Sequence, residues 1–149
     1  MIRPAVESDL DQICAMSERF TEETTFPLTY DPSLARETLW GIVHDDHIFL
    51  VAHEDGILMG FIIGYVKKDF FCESCAYVRK FFIDKEFRGL GASRELLNAF
   101  EDASFELGAT MVFAATHAGM GVLAEKLYVN LFSRFGYQIT GRAVSKEIR

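Results

Sequence analysis

Arg88-Gly89-Leu90-Gly91-Ala92-Ser93 stands between an apolar run ending Phe81-Phe82-Ile83 and a stretch with helical periodicity. The start of a helix presents main-chain N–H groups that have no partner inside the helix, together with the positive end of its dipole. Glycines let such a backbone approach an anion closely, and an arginine adds charge, so the segment suits a phosphate or pyrophosphate. The competing reading is a glycine turn feeding a helix, with Arg88 merely solvated; the position between strand and helix favours the anion site. The pattern lacks the Gly-Lys-Ser/Thr ending of a Walker loop. It also lacks the third glycine and following acidic residue of a dinucleotide fingerprint.

Other residues capable of chemistry are less well placed. Cys72 and Cys75 form a C-x-x-C, but no second pair completes a zinc site, and His117 is far along the chain. A redox pair would open a helix after a strand, whereas these cysteines precede an apolar strand-like run. No metal is therefore expected, and the odd cysteine number points to a reducing compartment.

The elements that must position the glycine turn follow from periodicity and punctuation. Met1 to Pro4 reads as a short edge strand. Ser8 or Asp9 can cap a helix in which Leu10, Ile13, Ala15 or Met16, and Phe20 recur. Asp31-Pro32 opens a second helix carrying Leu34, Ala35, Leu39, Ile42 and Val43. His47–His53 and Ile57–Lys67 read as strands joined by Glu54-Asp55-Gly56, a hairpin signal. Ala76–Ile83 is a further strand, followed by the glycine turn and a helix with Leu96, Leu97, Phe100, Ala103 and Leu107 on one face, ended by Gly108. Met111–Ala115 reads as a buried strand, Val122–Phe135 as a helix stopped by Gly136, and Tyr137–Thr140 and Ala143–Ile148 as two short strands. The order is β-α-α-β-β-β-α-β-α-β-β, a mixed α/β pattern without the regular alternation of a doubly wound sheet. Trp40 and the runs Phe70-Phe71 and Phe81-Phe82 are expected in the core or a pocket wall.

Of 149 residues half are hydrophobic, and 22 acidic against 15 basic side chains give a net charge of −7. This length and composition suit one globular domain spanning residues 1–149. The acidic balance argues against nucleic acid as a partner and mildly favours a cationic small substrate. The start, Met1-Ile2-Arg3-Pro4, is not a signal peptide, and no apolar run approaches the ~18 residues of a membrane span. A cytoplasmic address is expected.

Arg-x-x-Gly-x-small after a strand ending Phe81-Phe82-Ile83 resembles the acetyl-CoA-binding motif of the GNAT superfamily of N-acetyltransferases. The opening Ile2-Arg3-Pro4-Ala5 with Asp9-Leu10 is similar to the family's first strand and helix. Leu131-Phe132-Ser133-Arg134-Phe135-Gly136-Tyr137 is similar to its late helix ending in Gly-aromatic. Small prophage-type members are the most similar, including the closing Val144-Ser145-Lys146-Glu147-Ile148. The resemblance implies an acyl-CoA N-acyltransferase fold: a central mixed, mostly antiparallel sheet with a splayed parallel strand pair, flanked by about four helices. It also implies acetyl-CoA as co-substrate and a small-molecule or peptide amine as acceptor. Many members are homodimers, although no interface is legible here.

By the same resemblance, pantetheine would lie between Ala76–Ile83 and Met111–Ala115 against the main chain of Phe82 and Ile83. The N–H groups of Gly89, Leu90, Gly91, Ala92 and Ser93 would hold the pyrophosphate with help from Arg88. Ser93 departs from the usual Gly or Ala there. The tyrosine often found four residues before the Gly-aromatic is Phe132 in this chain, which leaves Tyr128, one turn earlier, as the candidate acid or else as packing for Phe132. The glutamate some members carry within the strand is absent, with Tyr77 or Val78 in its place. Glu73 at the strand entrance, Glu22 and Glu23 in the loop that commonly shapes the acceptor pocket, His117, or a water chain remain as routes for the amine proton. Glu22, Glu23 and Tyr77 are also the acceptor-site candidates. The expected activity is N-acetyl transfer to a primary amine. A CoA-binding sensor that has lost catalysis, or a ligand-free structural protein, are the rival classes.

Overall fold

The structure, a computed structural model, describes residues 1–23, 29–68, 70, 73–115, 122–141 and 146. Five strands, β1 (Ile2–Pro4), β2 (Ile48–Glu54), β3 (Ile57–Lys68), β4 (Ser74–Ile83) and β5 (Ala109–Ala114), form one sheet in sequence order. β1 to β4 are antiparallel to their neighbours, while β4 and β5 run parallel. The helices are α1 (Leu10–Glu22), α2 (Pro32–Val43), α3 (Ala92–Glu106) and α4 (Val122–Arg134), with short 3-10 turns at Glu7–Asp9 and Lys85–Phe87. This is the mixed, mostly antiparallel sheet with four helices that the resemblance implies.

Each face of the sheet has its own core. On one, Leu10, Ile13 and Met16 of α1 and Leu39 and Ile42 of α2 bury against Phe49, Val51, Phe61, Ile63 and Phe82. On the other, Leu96, Leu97 and Phe100 of α3 and Phe132 of α4 cover Ile62, Ala76, Phe81 and Ile83. Alternate residues of each strand serve opposite cores, which is why β3 and β4 read as continuous apolar runs.

Local chemistry sets the element ends. Asp31 accepts from the Leu34 N–H at 3.1 Å and Pro32 fills the first turn, as the sequence predicts for α2. Asp55 and Gly56 take positive φ values of 48° and 80°, the conformation a two-residue hairpin turn between β2 and β3 requires. After α4, the Gly136 N–H donates to Ser133 and the Tyr137 N–H to Phe132, the paired bonds of a helix ended by a left-handed glycine. Asp9 does not cap α1. Its carboxylate is buried and receives both Arg3 nitrogens (2.7 and 2.8 Å) and the Val6 N–H (2.9 Å), which ties β1 to α1. The Arg3 hydrogen bond, opposed in part by desolvation, holds the Asp9 pKa below the usual carboxylate value.

Four expectations change. β5 is half-exposed, with Met111 54% accessible, because among the described residues no strand pairs with its outer edge. Tyr137–Thr140 is irregular, since no described strand offers it a ladder. Trp40 lies outside the core, 49% exposed and against His44, and Phe70 is 98% exposed. Phe71, Cys72, His117 and the expected strand Ala143–Ile148 (apart from Lys146) lie outside the described residues.

The feature that shapes the rest is where β4 stops pairing with β5. The parallel ladder runs from Ser74/Ala109 to Val78/Ala114; through Arg79–Ile83, β4 stays paired with β3, but no described strand pairs with its other side. At that point β4 bulges against β3: Ile63 faces Lys80 and Gly64 faces Val78, which leaves Arg79 as the extra residue. Gly64 is needed there. A Cβ on it would stand 2.3 Å from the Tyr77 carbonyl oxygen and 2.5 Å from the Phe100 ring.

Gly64→Ala should therefore cost about 1–3 kcal/mol, read as a lower urea midpoint at unchanged m-value. The Asp9–Arg3 pair predicts a pH signature. A depressed folded pKa contributes stability that is complete above the unfolded value and lost as pH falls through the folded one. Between about pH 5 and pH 2 the wild-type protein should lose stability more steeply than Asp9→Asn. Parallel urea titrations across that range check this.

Candidate active site

The turn after β4 is built to leave main-chain donors open. Asp84 accepts from the Lys85 N–H (2.8 Å) and its other oxygen pairs with Arg19 of α1, which fixes the turn's start. Gly89 and Gly91 adopt φ of 82° and 94°, where side-chain-bearing residues are strained, and nothing lies within 4 Å of where their Cβ atoms would be. Gly91 begins α3 with no side-chain cap. Among the described residues, no acceptor is found for any N–H from Gly89 to Arg94. Gly89, Leu90 and Gly91 are exposed, Ala92 is buried beneath them, and the Ser93 side chain is half-buried beside them. An oxyanion-rich group fits this cradle, since it would satisfy donors that now face solvent at a positive helix end.

Arg88 is engaged elsewhere. Its Nε donates to the Ile83 carbonyl (3.0 Å), its Nη2 donates to both oxygens of Glu23 (3.0 and 2.7 Å), and its guanidinium lies 5.6 Å from the Phe82 ring centroid. It fastens the turn to β4 and to the end of α1.

Phe82 and Ile83 differ in what they offer a ligand. The Asp84 N–H donates to the Met59 carbonyl across to β3. In an antiparallel ladder such pairs alternate, so in the same register Phe82 exchanges its bonds with Phe61, whereas Phe81 and Ile83 direct theirs to the edge that β5 has left. The main chain of Phe82 is therefore committed to β3, and its ring is buried edge-on to Phe20 (5.5 Å). Phe81 takes its place beside Ile83. The sequence missed this because only the ladder's parity decides it.

The candidate proton-transfer residues are scattered. Tyr128 packs against Phe132 (4.6 Å between centroids) and Phe81 (6.5 Å), beside the open edge of β4. Burial pushes its phenol well above the ordinary tyrosine value. It thus stays protonated at neutral pH, and it can donate a hydrogen bond far more readily than it can surrender a proton. Phe132 is buried between Phe81, Tyr128 and Tyr137. Glu73 lies at the closed end of the β4–β5 pair, accepting from the Thr110 hydroxyl (2.7 Å) and about 16 Å along the strand from Val78. That separation removes it from the site. Glu22 is exposed on the last turn of α1, and Glu23 is held by Arg88. Tyr77 stacks between Tyr65 (5.4 Å) and Phe113 (5.5 Å) on the paired part of β4.

A cavity of about 530 Å³ opens between α1, α2 and the sheet, at the β4 bulge. Its walls are mostly apolar, with Phe20, Leu39, Ile42, Phe61 and Ile63. Ser17 and Thr38 supply hydroxyls, and Arg79 and Lys80 of the bulge supply charge. None of Glu22, Glu23, Glu73 and Tyr77 lines it. Arg79 and Lys80 are the residues that sequence reading overlooked, although two adjacent cations inside Tyr77-Val78-Arg79-Lys80-Phe81-Phe82 were a visible signal. Among the described residues no group of three His, Cys, Asp or Glu side chains is placed to hold a metal. No helix among them is long and apolar enough to cross a membrane.

Comparison with known proteins agrees with this geometry. The sequence profile described as the Acetyltransferase (GNAT) family matches residues 13–136. The chain belongs to that family of acetyltransferases. No curated protein sequence matches it significantly. Among solved structures, the aminoglycoside N-acetyltransferase AAC(6')-Iy in complex with CoA superposes with a TM-score of 0.80 at 16% identity, covering 100% of this chain and 94% of that one. Glucosamine-6-phosphate N-acetyltransferase from Arabidopsis thaliana gives 0.75 at 17% identity, covering 100% and 98%. A protein described as a transcriptional regulator from Bacillus halodurans C-125 gives 0.81 at 16% identity, covering 99% of both. These likenesses establish the fold.

Proposed function

We propose that residues 1–149 form a single acetyl-CoA-dependent N-acetyltransferase domain that transfers an acetyl group to a primary amine by direct attack on the thioester. One observation carries this reading: the N–H groups from Gly89 to Arg94, unpartnered among the described residues, lie next to the stretch Arg79–Ile83 of β4, with which no described strand pairs on that side. The turn would hold the pyrophosphate, and the outward main chain of Phe81 and Ile83 would hold the pantetheine as a neighbouring strand would. Acetyl-CoA supplies the activated acyl group. The protein's part is to aim it at the α1–α2 cavity and to donate hydrogen bonds to the oxyanion that develops.

In this reading the Tyr128 hydroxyl donates to the leaving sulfur, which leaves as a thiolate that is a weaker base than a tyrosinate. Asp31, the described carboxylate of the cavity wall, caps α2 through one oxygen, on the wall opposite the β4 edge. A water chain from the open cleft is therefore the route we favour for the amine proton. The solved neighbours described as aminoglycoside and glucosamine-6-phosphate N-acetyltransferases support a small-molecule acceptor. The free thiols Cys14 and Cys75 suit a cytoplasmic setting. The buried Phe132, in place of the family's usual tyrosine, favours the sensor reading as the second choice.

Gly91→Glu places bulk, charge and an unfavourable φ at the cradle, and should abolish the rise in melting temperature that acetyl-CoA produces in the wild type. A retained shift in a folded variant would remove the anion site. Tyr128→Phe should lower kcat at least about tenfold with acetyl-CoA affinity kept. Equal turnover by thiol release would leave Tyr128 only its packing role.

A further inference from the structure

The cavity at the β4 bulge has a charge that neither the family reading nor the net charge of the chain anticipates. The bulge turns two consecutive residues, Arg79 and Lys80, into the same cleft. Four arginines of this acidic chain have carboxylate partners: Arg3 with Asp9, Arg19 with Asp84, Arg36 with Asp11 and Arg88 with Glu23. Surface lysines such as Lys68, Lys85 and Lys126 pair with no described carboxylate, but they lie outside the cavity. Among the described residues Arg79 and Lys80 have no carboxylate partner. Both side chains are exposed at the cavity mouth; partial desolvation of the Lys80 ammonium, followed by the neighbouring Arg79 charge, lowers the Lys80 pKa. Asp31 on the helical wall accepts the Leu34 N–H through one oxygen, so the described lining carries two basic side chains against one acidic one. Two adjacent unmatched cations in a cleft with apolar walls are complementary to one anionic group on a small molecule.

We propose that the acceptor amine carries a carboxylate or a phosphate monoester, and that Arg79 and Lys80 clamp this anion while the amine reaches the open edge of β4. The proposal rests on the acetyl-transfer reading for its chemistry and reverses the cationic substrate suggested by net charge. Polyamines and aminoglycosides become poor acceptors, and amino acids or phosphorylated amines become good ones. The clamp makes no covalent bond. It fixes one end of the acceptor so that the other end is oriented.

The test uses matched pairs that differ in the anion: phenylalanine against phenylalaninamide, and glucosamine 6-phosphate against glucosamine, with spermidine as a cationic control. Thiol release from acetyl-CoA is measured for the wild type, Arg79→Gln, Lys80→Gln and the double variant, with folding checked by circular dichroism. In the wild type the anionic member of at least one pair should exceed its neutral partner at least about 30-fold in kcat/KM. That ratio should collapse toward one in the double variant, mainly through KM. The pair that responds says whether carboxylate or phosphate is the native anion. Equal or better use of neutral amines or spermidine, or a ratio unchanged in the double variant, overturns the clamp and leaves acetyl transfer standing. If acetyl-CoA binds but no amine is consumed, the transfer reading fails and calorimetric titration of the CoA-loaded protein decides the clamp alone. Binding of phenylalanine or glucosamine 6-phosphate that the double variant loses supports it, and no binding of either overturns it.

Discussion

Past Val78 and Ala114, β4 runs on with no described strand paired to it on the β5 side, and the arrangement of this protein depends on that interruption of the ladder. A main-chain edge inside a folded domain is costly if its N–H and C=O groups find no partner. Part of the demand is met within the protein: the Arg88 side chain donates to the Ile83 carbonyl. Among the described residues the rest finds no partner beside Phe81, and the glycine turn adjoining it has a further row of donors without acceptors. The bulge at Arg79 falls where the β4–β5 ladder ends, and Gly64 lets the Phe100 ring and the Tyr77 carbonyl close in beside it. A tightly packed core on one side thus supports an unpaired edge on the other.

Ion pairs fasten the turn after β4 to the helical layer. Arg19 to Asp84 and Arg88 to Glu23 both join the last turns of α1 to the turn after β4. Each pair is partly exposed and of modest worth by itself, but together they hold one wall of the cleft against the loop that the cofactor is proposed to occupy. The cleft itself sets two basic side chains, Arg79 and Lys80, at the mouth of a mostly apolar cavity.

Much of this was legible in the residues. Asp31-Pro32 marked the start of α2, Asp55-Gly56 the hairpin and Gly136 the end of α4, because each supplies a backbone conformation or cap that few residues can. Gly89 and Gly91 marked the cradle for the same reason. What escaped depended on through-space relations. Asp9 looked like a cap until Arg3 arrived from β1. Phe82 looked equivalent to Ile83 until the ladder's parity committed its main chain to β3. Glu73 lies on the right strand but at the wrong end, and Arg79 and Lys80 share a face only because of a bulge that alternation rules do not foresee.

The central claim, that the main chain of the turn and the open edge of β4 are a ligand-holding surface, is tested most directly by amide hydrogen exchange with and without CoA. The account predicts slowed exchange at Gly89 through Arg94 and at Phe81 and Ile83, with little change at Phe82, which is already bonded within the sheet. Protection elsewhere with those amides unaffected, or no change on adding saturating CoA, would contradict it.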